Sequence, residues 1–237
     1  MFAYSILANQ LTFHKDHLLV VCHQMAMMRD MGKPIFKGTT TVGIKCVDGI
    51  VLATDRRVTA GFYVANKRGR KILQIDDNVY ATIAGVVADA QMLIDSIRAH
   101  VKYLKVTIKQ PPSIKAIANL LSNLLFSSRF FPYIVQVIVA GIDQEGPRMF
   151  NIDLFGTLTE ERYIATGSGS PLALAILETK YRDDLTVKEA IPIAVDAVKA
   201  AMKWDPGSGE GFDIVVITKE GVEEIPQERY EEASYKS

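Results

Sequence analysis

Three of the four histidines, His14, His17 and His23, fall within the first 38 of 237 residues. Only His100 lies beyond, on the polar side of a helical repeat, so a histidine-activated serine or cysteine is close to excluded unless the leader stays attached. His14, His17, Cys22 and His23 could ligate zinc, but their spacing matches no closed site. Gly167-Ser168-Gly169-Ser170 precedes a helix as a phosphate loop would. Leu172, however, stands where a dinucleotide fingerprint needs its third glycine, and a Walker lysine is missing. Gly207-Ser208-Gly209-Glu210-Gly211 runs into a strand and offers an anion no helix N-terminus. Both stretches read as turns. Arg56, Arg57, Lys67, Arg68, Arg70 and Lys71 form a basic run with no acid before Asp76, but only Phe62 and Tyr63 accompany it, too few aromatics for nucleic-acid stacking.

That leaves nucleophiles activated without histidine. A threonine freed at a chain terminus carries its own base, because an α-amine titrates at ~7.7–8.0, whereas a lysine at ~10.4 stays protonated. The device needs a cut just before the threonine, a cation nearby and an N–H for the oxyanion. Gly38-Thr39-Thr40-Thr41-Val42-Gly43 has the right composition at the right place, although threonines also simply suit strands. Lys71 taken alone is a snorkelling surface lysine, and Asp55 alone a strand-end carboxylate.

The elements that would position these residues begin at Thr39. Val42, Ile44 and Cys46 alternate with polar neighbours, and Ile50–Thr54 follows Asp48-Gly49, a strong hairpin signal. Lys71–Ile75 and Val79–Ile83 read as a second strand pair. The period then becomes helical over Val86–Lys105, and Ser113 caps a second helix. Strands return at Ile134–Ile142, Arg148–Asp153 and Glu161–Ala165. Ser170-Pro171 opens a third helix, with serine as cap and proline at the first position. Thr186-Val187-Lys188-Glu189 is a capping box for a fourth, running to about Trp204 with Pro192 as a misfit that predicts a kink or an adjusted first turn. Phe212–Lys219 and Gly221–Ile225 close as a hairpin before an acidic tail from Glu228. Strand runs and helix pairs do not alternate one for one, which points to an α+β chain with antiparallel sheets covered by helices.

Residues 1–38 differ from the rest. They hold five of the eight methionines, show no period and lack the basic start and long apolar centre of a secretory signal. They read as a floppy leader, as upstream sequence ahead of a later start at Met25, Met27, Met28 or Met31, or, more sharply, as a pro-segment that is removed. One domain, 39–237, follows. Hydrophobic residues make up 49%, and 27 basic side chains balance 27 acidic ones, which excludes intrinsic disorder and binding driven by bulk charge. No apolar run approaches the ~18 residues of a membrane span. Two cysteines, Cys22 and Cys46, make no disulfide framework, in keeping with a soluble cytoplasmic chain.

Gly38-Thr39-Thr40-Thr41-Val42-Gly43-Ile44 followed by Asp48-Gly49-Ile50-Val51-Leu52-Ala53-Thr54-Asp55-Arg56-Arg57 resembles the β subunit of a proteasome core particle, most of all the archaeal type. The likeness continues through Lys71, Ile83-Ala84-Gly85, Asp89-Ala90-Gln91, Thr166-Gly167-Ser168-Gly169-Ser170-Pro171 and Gly209 to Asp213, and covers residues 39–225. It implies the four-layer αββα sandwich of N-terminal nucleophile hydrolases and threonine endopeptidase activity with no metal or organic cofactor. Thr39 would be the nucleophile, freed by autocatalytic cleavage of the Gly38–Thr39 bond. Lys71 would lower the pKa of its amine and Asp55 would hold Lys71. Gly85 would supply the oxyanion N–H, while Ser168 and Asp213 would complete the network around the amine. Thr59 and Gly85 would pair with the substrate backbone. Val58, Gly69, Ile83, Val87 and Gln91 would line a largely apolar first pocket, favouring cleavage after hydrophobic residues. The implied partners are α-ring subunits and other β subunits in stacked heptameric rings, unfolded polypeptides, and a regulatory ATPase reached through the α ring; neither nucleic acid nor membrane is expected. The alternative is a non-catalytic structural β subunit. The long leader keeps that reading open, and the intact catalytic positions speak against it. The two-ring bacterial relative is less similar over Thr39–Ile44.

Overall fold

The computed structural model describes residues 38–234. The expected pro-segment, apart from Gly38, and its histidines and Cys22 lie outside the described residues. Among those described, twelve strands and five helices follow in the order β1 (Thr41–Lys45), β2 (Gly49–Asp55), β3 (Val58–Ala60), β4 (Tyr63–Asn66), β5 (Ile72–Asp76), β6 (Val79–Gly85), α1 (Val87–Ile108), α2 (Ile114–Ser127), β7 (Val135–Asp143), β8 (Gly146–Ile152), β9 (Leu158–Glu160), β10 (Tyr163–Thr166), α3 (Ser170–Lys180), α4 (Val187–Trp204), β11 (Phe212–Thr218), β12 (Gly221–Pro226) and α5 (Gln227–Ser234). Two five-stranded antiparallel sheets result, ordered β10-β1-β2-β11-β12 and β5-β6-β7-β8-β9, with β3-β4 as a separate ribbon.

Side-chain alternation along the strands assigns the layers. In β2, Ile50 and Leu52 join Tyr80, Ile138, Met149 and Val215 in a core between the sheets, while Val51 and Ala53 turn to a second core with Ala194, Val198 and Leu177 of α4 and α3. In β7, Ile138 and Ala140 face the first sheet, and Val137 and Val139 pack on Ile97, Ile117 and Leu121 of α1 and α2. The order is therefore α1α2, sheet, sheet, α3α4, the expected αββα sandwich. A strand covered on both faces must be apolar throughout, and every residue of β2 is buried.

Local chemistry fixes the helix ends. Ser113 Oγ accepts from the Ala116 N–H at 3.2 Å. The Thr186–Glu189 capping box forms in both directions. At α3 the cap is Gly169, without a side-chain bond, and Ser170 lies inside the first turn beside Pro171. The serine is thus not the cap. Pro192 is accommodated inside α4 on its exposed side, and Lys188, one turn earlier, is exposed as well. The expected acidic tail instead begins as α5, docked by the Tyr230 ring edge-on to Phe212 at 5.8 Å. The β3–β4 ribbon and β9 are further elements beyond the sequence reading.

Candidate active site

The Asp48-Gly49 hairpin sets the register that builds the site. Thr41 pairs with Thr54, so Thr40 and Asp55 fall side by side. Asp55 Oδ1 accepts the Thr40 N–H at 2.8 Å, and Thr40 O accepts the Asp55 N–H at 3.1 Å. Lys71 precedes β5 in the other sheet, where its carbonyl accepts the Ile83 N–H at 2.9 Å. Its ammonium crosses to Asp55 Oδ1 at 2.7 Å. Asp55 is wholly buried and Lys71 nearly so. The remaining Asp55 oxygen takes the N–H groups of Arg57 and Gly209 at 3.0 and 2.9 Å. Burial lowers the Lys71 pKa below the ordinary lysine value, and Asp55 opposes that shift.

Thr39 precedes β1. Its hydroxyl donates to the carbonyl oxygen of Gly38 at 2.6 Å, and its backbone N–H donates to Ser168 Oγ at 3.1 Å. Ser168 in turn donates to Asp205 Oδ2 at 2.6 Å. Ser208 donates to the same oxygen at 2.6 Å and lies 2.7 Å from the Thr40 hydroxyl. Gly38 donates its N–H to the Thr59 hydroxyl at 2.8 Å and crosses Gly207 so closely that neither has room for a Cβ. Gly85 ends β6 with φ +126°, against the backbone of Ile134. A cavity of about 440 Å³ opens beside Thr39 and is lined by Val58, Thr59, Gly69, Lys71, Ile83, Gly85, Val87 and Gln91, together with Leu73 and Ala90.

The structure thus brings together Thr39, Asp55, Lys71 and Ser168, with Gly85 and the six expected pocket positions around one cleft. Asp213 is not among them. Strand alternation turns it, like Val215, to the face opposite Phe212, where its carboxylate takes Arg56 Nε and Nη2 at 2.9 and 2.7 Å. The acid that reaches Ser168 is Asp205.

The sequence is similar to known proteins over most of its length. The family model "Proteasome subunit" matches residues 35–217. A "Proteasome subunit beta 1" of Pyrobaculum calidifontis is 54% identical over 76% of this chain and 90% of its own. A "Proteasome subunit beta 2" of Aeropyrum pernix is 51% identical over 79% and 85%, and a "Proteasome subunit beta" of Archaeoglobus profundus 46% over 85% and 94%. The chain belongs to the proteasome family, as a β subunit of archaeal type.

Membership assigns the β subunit a place in the proteasome core, a peptidase family and assembly with other proteasome subunits. The match contains every site position from Thr39 to Asp213. Among the described residues no helix is long and apolar enough to cross a membrane. Asp205 and Ser208 escape the sequence reading, in which Gly207-Ser208-Gly209-Glu210-Gly211 is a turn and Asp205 has no role. The available signal was a carboxylate at a helix end, fixed by the proline after it. Asp205 is indeed the C-cap of α4: its carboxylate accepts the Gly207 N–H at 3.1 Å and its backbone carbonyl accepts the Ser208 N–H at 3.1 Å.

Proposed function

We propose that this β subunit is a threonine endopeptidase that frees its own nucleophile. The observation that carries the reading is the Thr39 hydroxyl, 2.6 Å from the carbonyl oxygen of Gly38, in a cleft that Thr39 lines together with Lys71 of the buried Asp55–Lys71 pair. In the first step Thr39 Oγ1 adds to the Gly38 carbonyl carbon and the C–N bond breaks. The acyl group passes to oxygen and the nitrogen becomes an amine. Water then hydrolyses that ester, so residues 1–38 leave as a carboxylic acid and Thr39 keeps a free α-amine. On a substrate the amine takes the hydroxyl proton as Oγ1 attacks. It returns the proton to the departing amine, and water releases the acyl group. The depressed lysine and the Ser168–Asp205 pair hold that amine in position, and the Gly85 N–H faces the oxyanion, a contribution worth ~3–4 kcal/mol for one such donor.

The lining carries the apolar Val58, Leu73, Ile83, Val87 and Ala90 beside the polar Asn66, Arg68, Arg70 and Gln91, and its apolar part supports cleavage after hydrophobic residues. The reading extends to a zymogen that matures within stacked heptameric α and β rings in the cytoplasm. It would take unfolded chains delivered through the α ring by an ATPase. It rests there on family membership.

The test is intact mass and N-terminal sequencing of the chain co-assembled with α subunits. A chain beginning at Thr39, active on peptides and inactive as Thr39→Ala, is the expected result. A fully assembled chain that still carries Gly38 replaces this reading with a structural subunit.

A further inference from the structure

Gly85, the oxyanion donor of that reading, is not held by its own strand alone. With φ +126° it lies where a Cβ would meet the Ile134 carbonyl oxygen at 2.2 Å, so the two backbones touch. Both polar backbone groups of Ile134 are tied to the start of α1. Its carbonyl accepts the Val86 N–H at 2.8 Å, and its N–H donates to Asp89 Oδ2 at 2.9 Å. Asp89 lies in the first turn of α1 and is half-buried, away from the cleft lining. One carboxylate thus closes a ring from Gly85 and Val86 through Ile134 and back to the helix.

We propose that Asp89 is a positioning residue that fixes the Gly85 N–H through Ile134. The inference rests on the threonine-peptidase reading for its catalytic consequence, and on the backbone contacts alone for its structural one. Without the carboxylate the Ile134 N–H loses its acceptor. The strand entering β7 can then slide against Gly85, whose left-handed conformation has no side chain to resist it. An oxyanion donor acts in the transition state, so the loss falls on kcat and spares KM.

The experiment compares Asp89→Ala and Asp89→Asn in the full chain assembled with α subunits, with turnover expressed per titrated N-terminal threonine. An asparagine keeps an oxygen for the Ile134 N–H and removes only the charge. Asp89→Ala is expected to lower kcat at least about tenfold, a fraction of the roughly 10²–10³-fold of a donor removed outright. KM should stay within about twofold, and Asp89→Asn should restore most of kcat. Equal losses in the two variants, or a loss confined to KM, would overturn the assignment. Hydrogen exchange reads the ring without turnover. The amides of Val86 and Ile134 should exchange faster in Asp89→Ala than in wild type or Asp89→Asn, and unchanged protection refutes the ring whatever the activity. An inactive wild type with protected amides would instead refute the peptidase reading and leave the ring standing.

Discussion

Alanine at position 38 adds one methyl group where none fits. Its Cβ would fall 1.8 Å from the Gly207 Cα and 2.3 Å from the Gly207 carbonyl carbon. Nonbonded carbons approach to about 3.5 Å, so 3.5 − 1.8, or about 1.7 Å, must be taken up by backbone rather than by a flexible side chain. Gly207 is poorly placed to yield. Its N–H is held by Asp205 Oδ1 at 3.1 Å, and its neighbour Ser208 is wholly buried and bonded to both Asp205 and Thr40. The displacement therefore falls on Gly38, whose carbonyl leaves its 2.6 Å contact with the Thr39 hydroxyl. Misplacing reacting groups by about 1 Å costs on the order of 10²-fold in rate, which is about 2.7 kcal/mol of barrier. Gly38→Ala should therefore mature at least about 100-fold more slowly, followed by intact mass over time in the co-assembled complex. The reciprocal Gly207→Ala, with its Cβ 2.2 Å from the Gly38 Cα, should also delay maturation. Cleavage removes position 38, so Gly38→Ala chains that do mature are identical to wild type and must turn over identically per site. Maturation of Gly38→Ala at the wild-type rate would refute the crossing of Gly38 and Gly207 as the geometry of cleavage.

Lys71→Met should abolish turnover and lower stability by about 3–5 kcal/mol, because it strands the Asp55 carboxylate in the interior. In denaturant melts its effect should combine with Asp55→Ala to less than the sum, and strict additivity would contradict the pairing. Peptides with leucine or phenylalanine before the cut should be hydrolysed faster than those with arginine or glutamate, and equal kcat/KM values would contradict the apolar lining of the cleft. Glu228 is held down to about 2 by its hydrogen bonds from Arg56, against an ordinary 4.5. A carboxylate depressed on folding stabilises fully above its unfolded pKa and loses that contribution as pH falls through its folded one. Protection of the α5 amides, taken relative to the intrinsic exchange rate at each pH, should therefore fall as pH drops from about 4.5 towards 2, and Glu228→Gln should flatten that dependence. The same acid response in Glu228→Gln would show that α5 is anchored elsewhere.

The parts of the site that sequence made legible are those set by local rules. Asp48-Gly49 dictates a tight hairpin, and once Thr41 pairs with Thr54 the contact between Thr40 and Asp55 follows by counting. The capping box of α4 and the apolar stripe of α1 are equally local. Asp205 illustrates the opposite case. Its role depends on where α4 stops relative to a loop 37 residues earlier, the loop of Ser168, and no periodicity encodes that distance. Asp213 lies in a strand whose faces are both covered, so the pattern of apolar neighbours does not reveal which side its carboxylate takes. The β3–β4 ribbon was hidden for a related reason. All of β4 is exposed, so burial imposes no alternation on its sequence.

The two halves of the candidate site come from different sheets, and this ties the site to the packing of the sandwich. Asp55 ends β2 in one sheet, whereas Lys71 leads into β5 in the other, and their 2.7 Å contact spans the interface. A second polar link lies close by, where the Thr82 hydroxyl of β6 donates to Thr41 Oγ1 of β1 at 3.2 Å. The rest of the inter-sheet core, from Ile50 to Ile217, is apolar and non-directional. Such a core tolerates small slides at little cost, but hydrogen bonds of this length do not. A slip of one residue, about 3.3 Å along a strand, would carry Lys71 out of reach of Asp55 while leaving most apolar area buried. The charged pair therefore fixes how the sheets register on each other, and that register in turn brings Lys71 to the site of Thr39. A variant that loosens the inter-sheet core without touching the site, such as Met149→Ala, should for that reason lose turnover before it loses its fold.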